Sequence, residues 1–370
     1  MADKILVTGG LGYIGSHCVV ALCEAGFEPV IVDNHSNARA SVLERLERLT
    51  GRSLTCYDLD IRNRAGLETL LQREPCSGLI HLAAFKAVGE SVARPLMYYD
   101  NNVGGSVSLF DAFEAAGAGA IVFSSSATVY GEVNAEPLHE ALPVQPTNPY
   151  GQTKAMMEQV LADMVRAPGA RSRGLALRYF NPAGAHDSAL IGEDPKDQPN
   201  NLFPIIVQVA VGQRESLTIF GEDYDTPDGT GVRDYIHVVD LAQAHVKALQ
   251  ALLGGGFEAP FTALNLGTGT PYSVREVVSA FEAELGRSLP QTLGLRRPGD
   301  VATLLADPRA AAEQLGWTAE RGLEAMVTDA WRWAGAARCS RLRPPVTASA
   351  PSTCAAMVTA IAPNRLRPTP

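Results

Sequence analysis

The chain has 370 residues, 46% of them hydrophobic and 19% charged, with a formal net charge of -9. That length supplies one large or two medium domains with a substantial core, and the composition is ordinary for a soluble globular protein. The acidic balance argues against a nucleic-acid surface, and no apolar run approaches the roughly 18 residues of a membrane span.

The acidity is unevenly placed. Residues 335–370 hold five basic side chains (Arg338, Arg341, Arg343, Arg365 and Arg367) and no acidic one. The cysteines are Cys18, Cys23, Cys56, Cys76, Cys339 and Cys354, with no Cys-x-x-Cys pair among them. Their spacing suggests neither a metal site nor a disulfide framework, so no metal and a reduced, cytoplasmic setting are expected. No basic stretch followed by a long apolar one opens the chain, so no signal peptide is expected.

Short apolar strands alternate with helical patterns over residues 3–130. Ile5-Leu6-Val7 reads as a strand, and a helix follows from Ile14 to about Ala25, stopped by Gly26. Pro29-Val30-Ile31-Val32 is the next strand and ends at Asp33. Leu79-Ile80-His81-Leu82 and Ala120-Ile121-Val122-Phe123 are further buried strands, with a helix between them from Val103 to about Ala116. This pattern predicts a doubly wound parallel sheet of the Rossmann type. Tyr150 to about Val165 is helical, and Leu175-Ala176-Leu177-Arg178-Tyr179 is another strand. Helices are expected near 203–212, 240–252, 273–285 and 320–334, with a strand at 217–220 and a polar loop at 221–231. We assign 1–180 to a nucleotide-binding domain, with a returning segment near 233–252. Residues 181–338 form a smaller mixed α/β substrate domain. The run from Gly335 is rich in Pro, Ala, Ser, Thr and Arg without periodicity, so 339–370 are expected to be a disordered tail.

Gly9, Gly12 and Gly15 lie between the first strand and the first helix. Glycine there permits a tight turn and a close approach of backbone to a pyrophosphate at the helix N-terminus. Asp33, 18 residues after Gly15, stands where an acid accepts both ribose hydroxyls of NAD and repels a 2′-phosphate. Arg39 nearby argues the other way. Asp60 and Ile61 follow another strand; an adenine edge and a helix cap are both open for Asp60. Leu82, in Leu82-Ala83-Ala84-Phe85-Lys86, ends a strand on the same sheet edge, and Lys86 is either a phosphate or ribose contact or a solvated lysine. Ser126 ends the strand before Ala127, where a hydroxyl either meets a substrate oxygen or caps a turn. Tyr150 and Lys154 are four apart, so a helix puts them on one face. A phenol beside an ammonium is a device for making phenolate near neutral pH, against an ordinary phenol pKa of about 10. Arg233 and Arg297 are either diphosphate contacts or surface arginines. His81, His237 and the other histidines show no metal-ligand spacing and are read as structural.

The combination resembles the UDP-glucose 4-epimerases, a family of the extended short-chain dehydrogenases/reductases. The matching stretches are Thr8–Gly15, Lys86–Ser91, Tyr98–Asn102, Ser124–Gly131, Tyr150–Lys154, Arg178–Pro182, Pro199–Leu202 and Asp228–His237. The resemblance spans roughly residues 3–334. It implies NAD held by Tyr13, Ile14, Asp33, Asn34, Asp60, Ile61, Lys86, Asn101, Tyr150, Lys154 and Phe180. It implies a UDP-sugar site lined by Ser126, Asn181, Asn201, Leu202, Phe220, Arg233, Arg297 and Asp300. The implied reaction interconverts UDP-galactose and UDP-glucose through a 4-keto sugar, with Tyr150 as the acid–base group, Lys154 lowering its pKa and Ser126 bridging the C4 oxygen. Leu304 falls at the position that helps to set whether N-acetylated sugars fit. A homodimer through the helices near 103–116 and 150–165 is also implied. Two other readings are weaker. A 4,6-dehydratase calls for a carboxylate after the serine, where this chain has Ala127. A silent NAD-binding regulator predicts loss of Tyr150 or Lys154, and both are present.

Overall fold

Seven parallel strands, side by side, form the floor of the molecule in the computed structural model, which describes residues 2–341 apart from 118, 133–136, 197 and 298–299. The first half runs β1 (Lys4–Thr8), α1 (Tyr13–Glu24), β2 (Glu28–Asp33), α2 (Ser41–Thr50), β3 (Thr55–Asp58), α3 (Arg64–Arg73) and β4 (Gly78–His81). Two short helices, α4 (Val88–Ala93) and α5 (Pro95–Tyr98), and a π-helical turn over Tyr99–Gly104 lead into α6 (Gly105–Ala115). Then come β5 (Ala120–Ser126), α7 (Pro149–Arg166) and β6 (Arg173–Tyr179). The chain continues through β7 (Asn181–Ala183), α8 (Leu202–Ala210), β8 (Leu217–Phe220), β9 (Val232–His237), α9 (Val238–Leu253) and β10 (Phe261–Leu266). It closes with β11 (Pro271–Ser273), α10 (Val274–Leu285), β12 (Gln291–Gly294), β13 (Thr303–Leu304), α11 (Arg309–Leu315) and α12 (Leu323–Arg341).

The large sheet has the order β10-β6-β5-β4-β1-β2-β3. The chain winds outward from β1 in one direction and from β4 in the other, which opens a crevice at the carboxyl ends of those two strands. Both sheet faces are covered, so the strands read as continuous apolar runs rather than alternating ones. Ile5, Val7, Ile80, Val122 and Leu177 pack toward the layer of α1, α2, α9 and α11. Leu6, Leu79, Ile121, Phe123 and Ala176 pack toward α3, α6 and α7.

A second core gathers Phe203, Ile206, Val277, Phe281 and Met326 from α8, α10 and α12, over a small sheet in which β9 pairs with β7, β11 and β13. The return to the first layer is longer than residues 233–252. Helix α9 lies along α1, while β9 stays in the small sheet. Strand β10 then adds to the large sheet against β6 over six residue pairs, and α11 packs on it. Helix α12 continues past Gly335 to Arg341. Of the tail expected over 339–370, residues 342–370 lie outside the described residues.

Asp234 joins the two parts. Its buried carboxylate accepts from the Thr268 amide (2.9 Å), the Thr268 hydroxyl (2.8 Å), the Gly269 amide (2.9 Å) and the Ala306 amide (3.2 Å). Its backbone oxygen accepts from Asn181 Nδ2 at 3.0 Å. Gly267 must lack a side chain, because a Cβ there would stand 2.4 Å from Ala306 Cβ and 2.5 Å from Asp234 Oδ2. Asp234→Ala removes the acceptor of four donors, and urea unfolding should show a loss of about 3 kcal/mol. An unchanged unfolding midpoint contradicts this role.

Candidate active site

The turn after β1 is built by three glycines with different tasks. Gly9 has φ of +70° and donates its amide to Val32 O at 2.8 Å. A Cβ on Gly9 would sit 2.9 Å from Ala83 N, in the strip Leu82-Ala83 that follows β4. Gly12 donates to Gly9 O at 3.0 Å and caps α1 without a side chain, which leaves the first amides of the helix for an anion. A Cβ on Gly15 would fall 2.1 Å from Gly9 O. Tyr13 and Ile14 open the helix, and the Tyr13 hydroxyl donates to Gly184 O at 2.7 Å.

Asp33 ends β2 with its carboxylate buried, accepting from the Leu11 amide (3.1 Å) and the His35 amide (2.9 Å). Burial raises its pKa and those amides pull it back. The glycine cradle and this carboxylate fit a dinucleotide: the pyrophosphate over Gly9–Gly15 and the ribose at Asp33. Arg39, the argument for a 2′-phosphate, is engaged elsewhere, its Nε donating to Asp194 at 3.1 Å. Asn34 donates to Asp60 at 3.0 Å. Asp60 does not cap α3; Asn63 does, accepting from the Gly66 amide at 3.0 Å. Arg62 binds Asp60 through its amide, Nε and Nη2 and drives its pKa down. Ile61 is buried beside it.

A loop from the second part straps this crevice. Glu193 accepts from Lys86 Nζ (3.1 Å) and from Asn201 Nδ2 (2.7 Å). Asp194 takes Arg39, and Lys196 Nζ donates to His35 O at 2.5 Å. Lys86 is thus an exposed, ion-paired lysine at the rim of the crevice. Asn101 is buried in the π-helical turn and donates to Asn102 at 3.0 Å. Asn102 in turn donates to Phe85 O (3.0 Å) and Thr153 Oγ1 (3.1 Å), tying this turn to α7.

Tyr150, Lys154 and Ser126 come together at the carboxyl end of β5. Asn148 caps α7 through the Gly151 amide at 2.9 Å, and Ser91 accepts the Tyr150 amide at 3.1 Å. Ser126 Oγ accepts from the Thr128 amide (3.2 Å) and Thr128 Oγ1 (3.0 Å), so it does cap a turn. Its own proton remains to be given, and its hydrogen bond to Tyr150 favours the phenolate. Lys154 Nζ donates to Ser124 O at 2.6 Å and lies 4.9 Å from the Phe123 ring centre and 5.9 Å from that of Tyr150. Here the structure departs from the sequence expectation. Burial pushes the Tyr150 phenol up to about 12, and only Ser126 opposes it. Burial also brings Lys154 down to about 7, with Glu158 opposing. Desolvation dominates both shifts.

Across the crevice, residues of the second part pair among themselves. Arg233 Nη2 lies 3.7 Å from Asp300, and the Arg297 guanidinium lies 4.0 Å from the Phe220 ring centre. Asn181 holds Asp234, and Leu202 opens α8 after its cap Asn201. Leu304 pairs with Arg233 across β13 and β9 and packs against the cluster of Ala127, Tyr130 and Phe180. That places Leu304 against the cluster that contains Ala127, the residue after Ser126. His81 is structural, bonded to Thr8 and Ser106 at 2.7 Å each, and His237 caps α9. Sequence reading assigned no role to Glu193, Glu158 or Arg178. Two of them carried a signal: Glu158 lies four residues beyond Lys154, and Arg178 opens the matching stretch Arg178–Pro182.

The family model described as GDP-mannose 4,6 dehydratase matches residues 6–330. The UDP-glucose 4-epimerase of Bacillus subtilis is 54% identical over 89% of this chain and 96% of its own length. The chain belongs to the UDP-glucose 4-epimerase family. The human UDP-glucose 4-epimerase is 49% identical over 90% of this chain and 97% of its own. The fold also superposes on the UDP-glucose 4-epimerase of Stenotrophomonas maltophila, solved with NAD and a formylated UDP-arabinopyranose. That match has a TM-score of 0.88, 47% identity, and coverage of 91% of this chain and 99% of that one. The enzyme of Bifidobacterium longum, solved with NAD+ and UDP, matches at a TM-score of 0.85 and 44% identity, over 90% and 98% of the two chains.

Gly15→Ala drives a methyl into Gly9 O and should abolish dinucleotide retention. Nucleotide released from acid-denatured protein checks this: the wild type should yield close to one equivalent per chain and the variant almost none. Full retention contradicts the cradle.

Proposed function

We infer that the protein catalyses the reversible C4 epimerisation of UDP-galactose and UDP-glucose, using tightly bound NAD. The observation that carries this is the buried Tyr150–Lys154–Ser126 cluster beside the glycine cradle, in a chain of the epimerase family. NAD held there would supply a hydride acceptor at C4 that gives back what it takes, leaving the sugar without net redox change.

The chain's own residues supply the rest. Tyr150 moves the proton on the C4 hydroxyl, a general acid–base role. Ser126 shares its hydroxyl between the phenol and the C4 oxygen. Lys154, protonated, offsets the cost of a buried phenolate. Gly9, Gly12, Tyr13, Ile14, Gly15, Asp33, Asn34, Asp60, Ile61, Leu82, Lys86, Asn101 and Phe180 form the NAD site. Arg233 and Arg297 hold the diphosphate, and Asn181, Asn201, Leu202, Phe220 and Asp300 complete the UDP pocket. Firm binding of the UDP leaves the sugar loose enough to present either face, so binding energy sits on the non-reacting part of the substrate. Leu304, beside Ala127 and Phe180, limits the room for a larger sugar. Ala127 also removes the dehydratase reading, because no carboxylate follows Ser126.

A homodimer fits the surface. Val88, Val92, Leu96, Val107 and Met156 are exposed on α4, α5, α6 and α7, with Leu96 81% exposed. A second copy packed helix against helix covers them. Among the described residues no helix is long and apolar enough to cross a membrane, and Cys18, Cys23, Cys56 and Cys76 are free thiols. A reduced, cytoplasmic setting suits both.

Purified protein given UDP-galactose and no reductant should produce UDP-glucose, followed by proton NMR of the anomeric signals. No turnover with NAD bound overturns this function. Tyr150→Phe should lower turnover at least ~100-fold with NAD still bound. Near-normal activity removes Tyr150 from the chemistry.

A further inference from the structure

One helical turn beyond Lys154, a wholly internal ion pair spans from α7 to the sheet. Glu158 and Arg178 are both buried, with Arg178 donating from Nε at 3.0 and 3.2 Å and from Nη2 at 2.6 Å. Ser125 Oγ donates to the same carboxylate. Arg178 Nη1 donates to the Tyr130 hydroxyl at 3.2 Å, which donates to Asn265 at 2.7 Å. Consecutive residues of β5 therefore grip consecutive turns of α7: Ser124 O takes Lys154, and Ser125 Oγ gives to Glu158. Ser125 is also the register partner of Arg178 on β6.

We propose that Glu158 is a positioning residue of the active site, whose carboxylate keeps Lys154 in its ammonium form and fixes the register of α7, and with it Tyr150, on β5. This rests on the epimerase function inferred above. Replacing a buried ion pair by apolar side chains is often neutral or stabilising, so stability alone gives no reason for one here. A reason appears when the neighbours of Lys154 are counted. Tyr150 shares its helix; Arg178 stands on the α7 face of β6, bonded to Glu158, with Tyr130 behind it; Tyr179 points to the other face of the sheet; His81 acts on Lys154 from β4. None of these brings a negative charge to the ammonium while the phenols are neutral, and His81, bonded on both ring nitrogens, is held neutral by burial. Glu90 of α4 pairs with Arg94, which follows that helix. Among the described residues Glu158 is the one carboxylate acting on Lys154, and little water screens it.

The sign follows. A carboxylate favours the charged lysine, so without it Lys154 loses its proton at lower pH. The chain has five lysines, which makes the Lys154 side-chain carbon readable by NMR in lysine-labelled holoenzyme, with Lys154→Met assigning the signal. In Glu158→Gln the Lys154 titration midpoint and the alkaline limb of the kcat/KM profile should both fall by about one pH unit. Glu158→Gln/Arg178→Gln leaves no unpaired guanidinium and, because a more distant cation goes with the carboxylate, should show a smaller fall in the same direction, so it decides the matter where the single variant fails to fold. A Lys154 titration that stays in place, with activity falling equally at every pH, overturns the proposal and leaves Glu158 a structural residue. Should the wild type fail to interconvert UDP-galactose and UDP-glucose, the inferred function falls, while the lysine titration still judges Glu158.

Discussion

A lysine with almost no solvent contact must take its hydrogen bonds from the protein, and Lys154 does so from the backbone oxygen of Ser124. That constraint orders the rest of the site. It brings α7 down onto β5, which places Tyr150 against Ser126. It also sets the electrostatics, since the burial that draws Lys154 to about 7 pushes Tyr150 to about 12. Neither shift suits catalysis by itself. Together they make a site in which each added positive charge has a large effect, because little water is present to screen it.

The architecture keeps that dry cluster beside a groove that must stay open. The parallel sheet delivers Gly9, Asp33, Leu82 and Ser126 to one edge, since all its strands end there. The second part, fastened through Asp234, carries Arg233 paired with Asp300 and Arg297 over the Phe220 ring. Between them the loop holding Glu193, Asp194 and Lys196 ties both flanks of the dinucleotide groove, through Lys86 on one side and His35 and Arg39 on the other. A cofactor closed in this way is suited to staying bound through many turnovers, which an enzyme that returns its hydride requires.

What could be read from the sequence was local. The glycine turn, the end of β2 at Asp33 and the Tyr150–Lys154 spacing each lie within a few residues, and short-range geometry dictates their form. The strand at 217–220 coincides with β8. Strand β10 escaped notice because Phe261-Thr-Ala-Leu-Asn-Leu266 is a strand only by virtue of β6, far away in sequence. Helix α12 outran its expected end because loss of periodicity after Gly335 does not forbid helix where Ala and Arg follow. The pKa shifts of Tyr150 and Lys154 depend on burial, and spacing reports a neighbour but not the water that is missing. The inward turn of Glu158 was hidden for the same reason: on a helix wheel it is one more acidic residue four places from a lysine.

The central claim is that the hydride leaving C4 returns to the carbon it left. UDP-galactose deuterated at C4 tests it most directly, with the product analysed by NMR and mass spectrometry. The prediction is UDP-glucose that keeps its deuterium at C4, with none in the water and no build-up of reduced nicotinamide absorbing at 340 nm. Deuterium lost to water, or reduced cofactor forming in step with product, would contradict it.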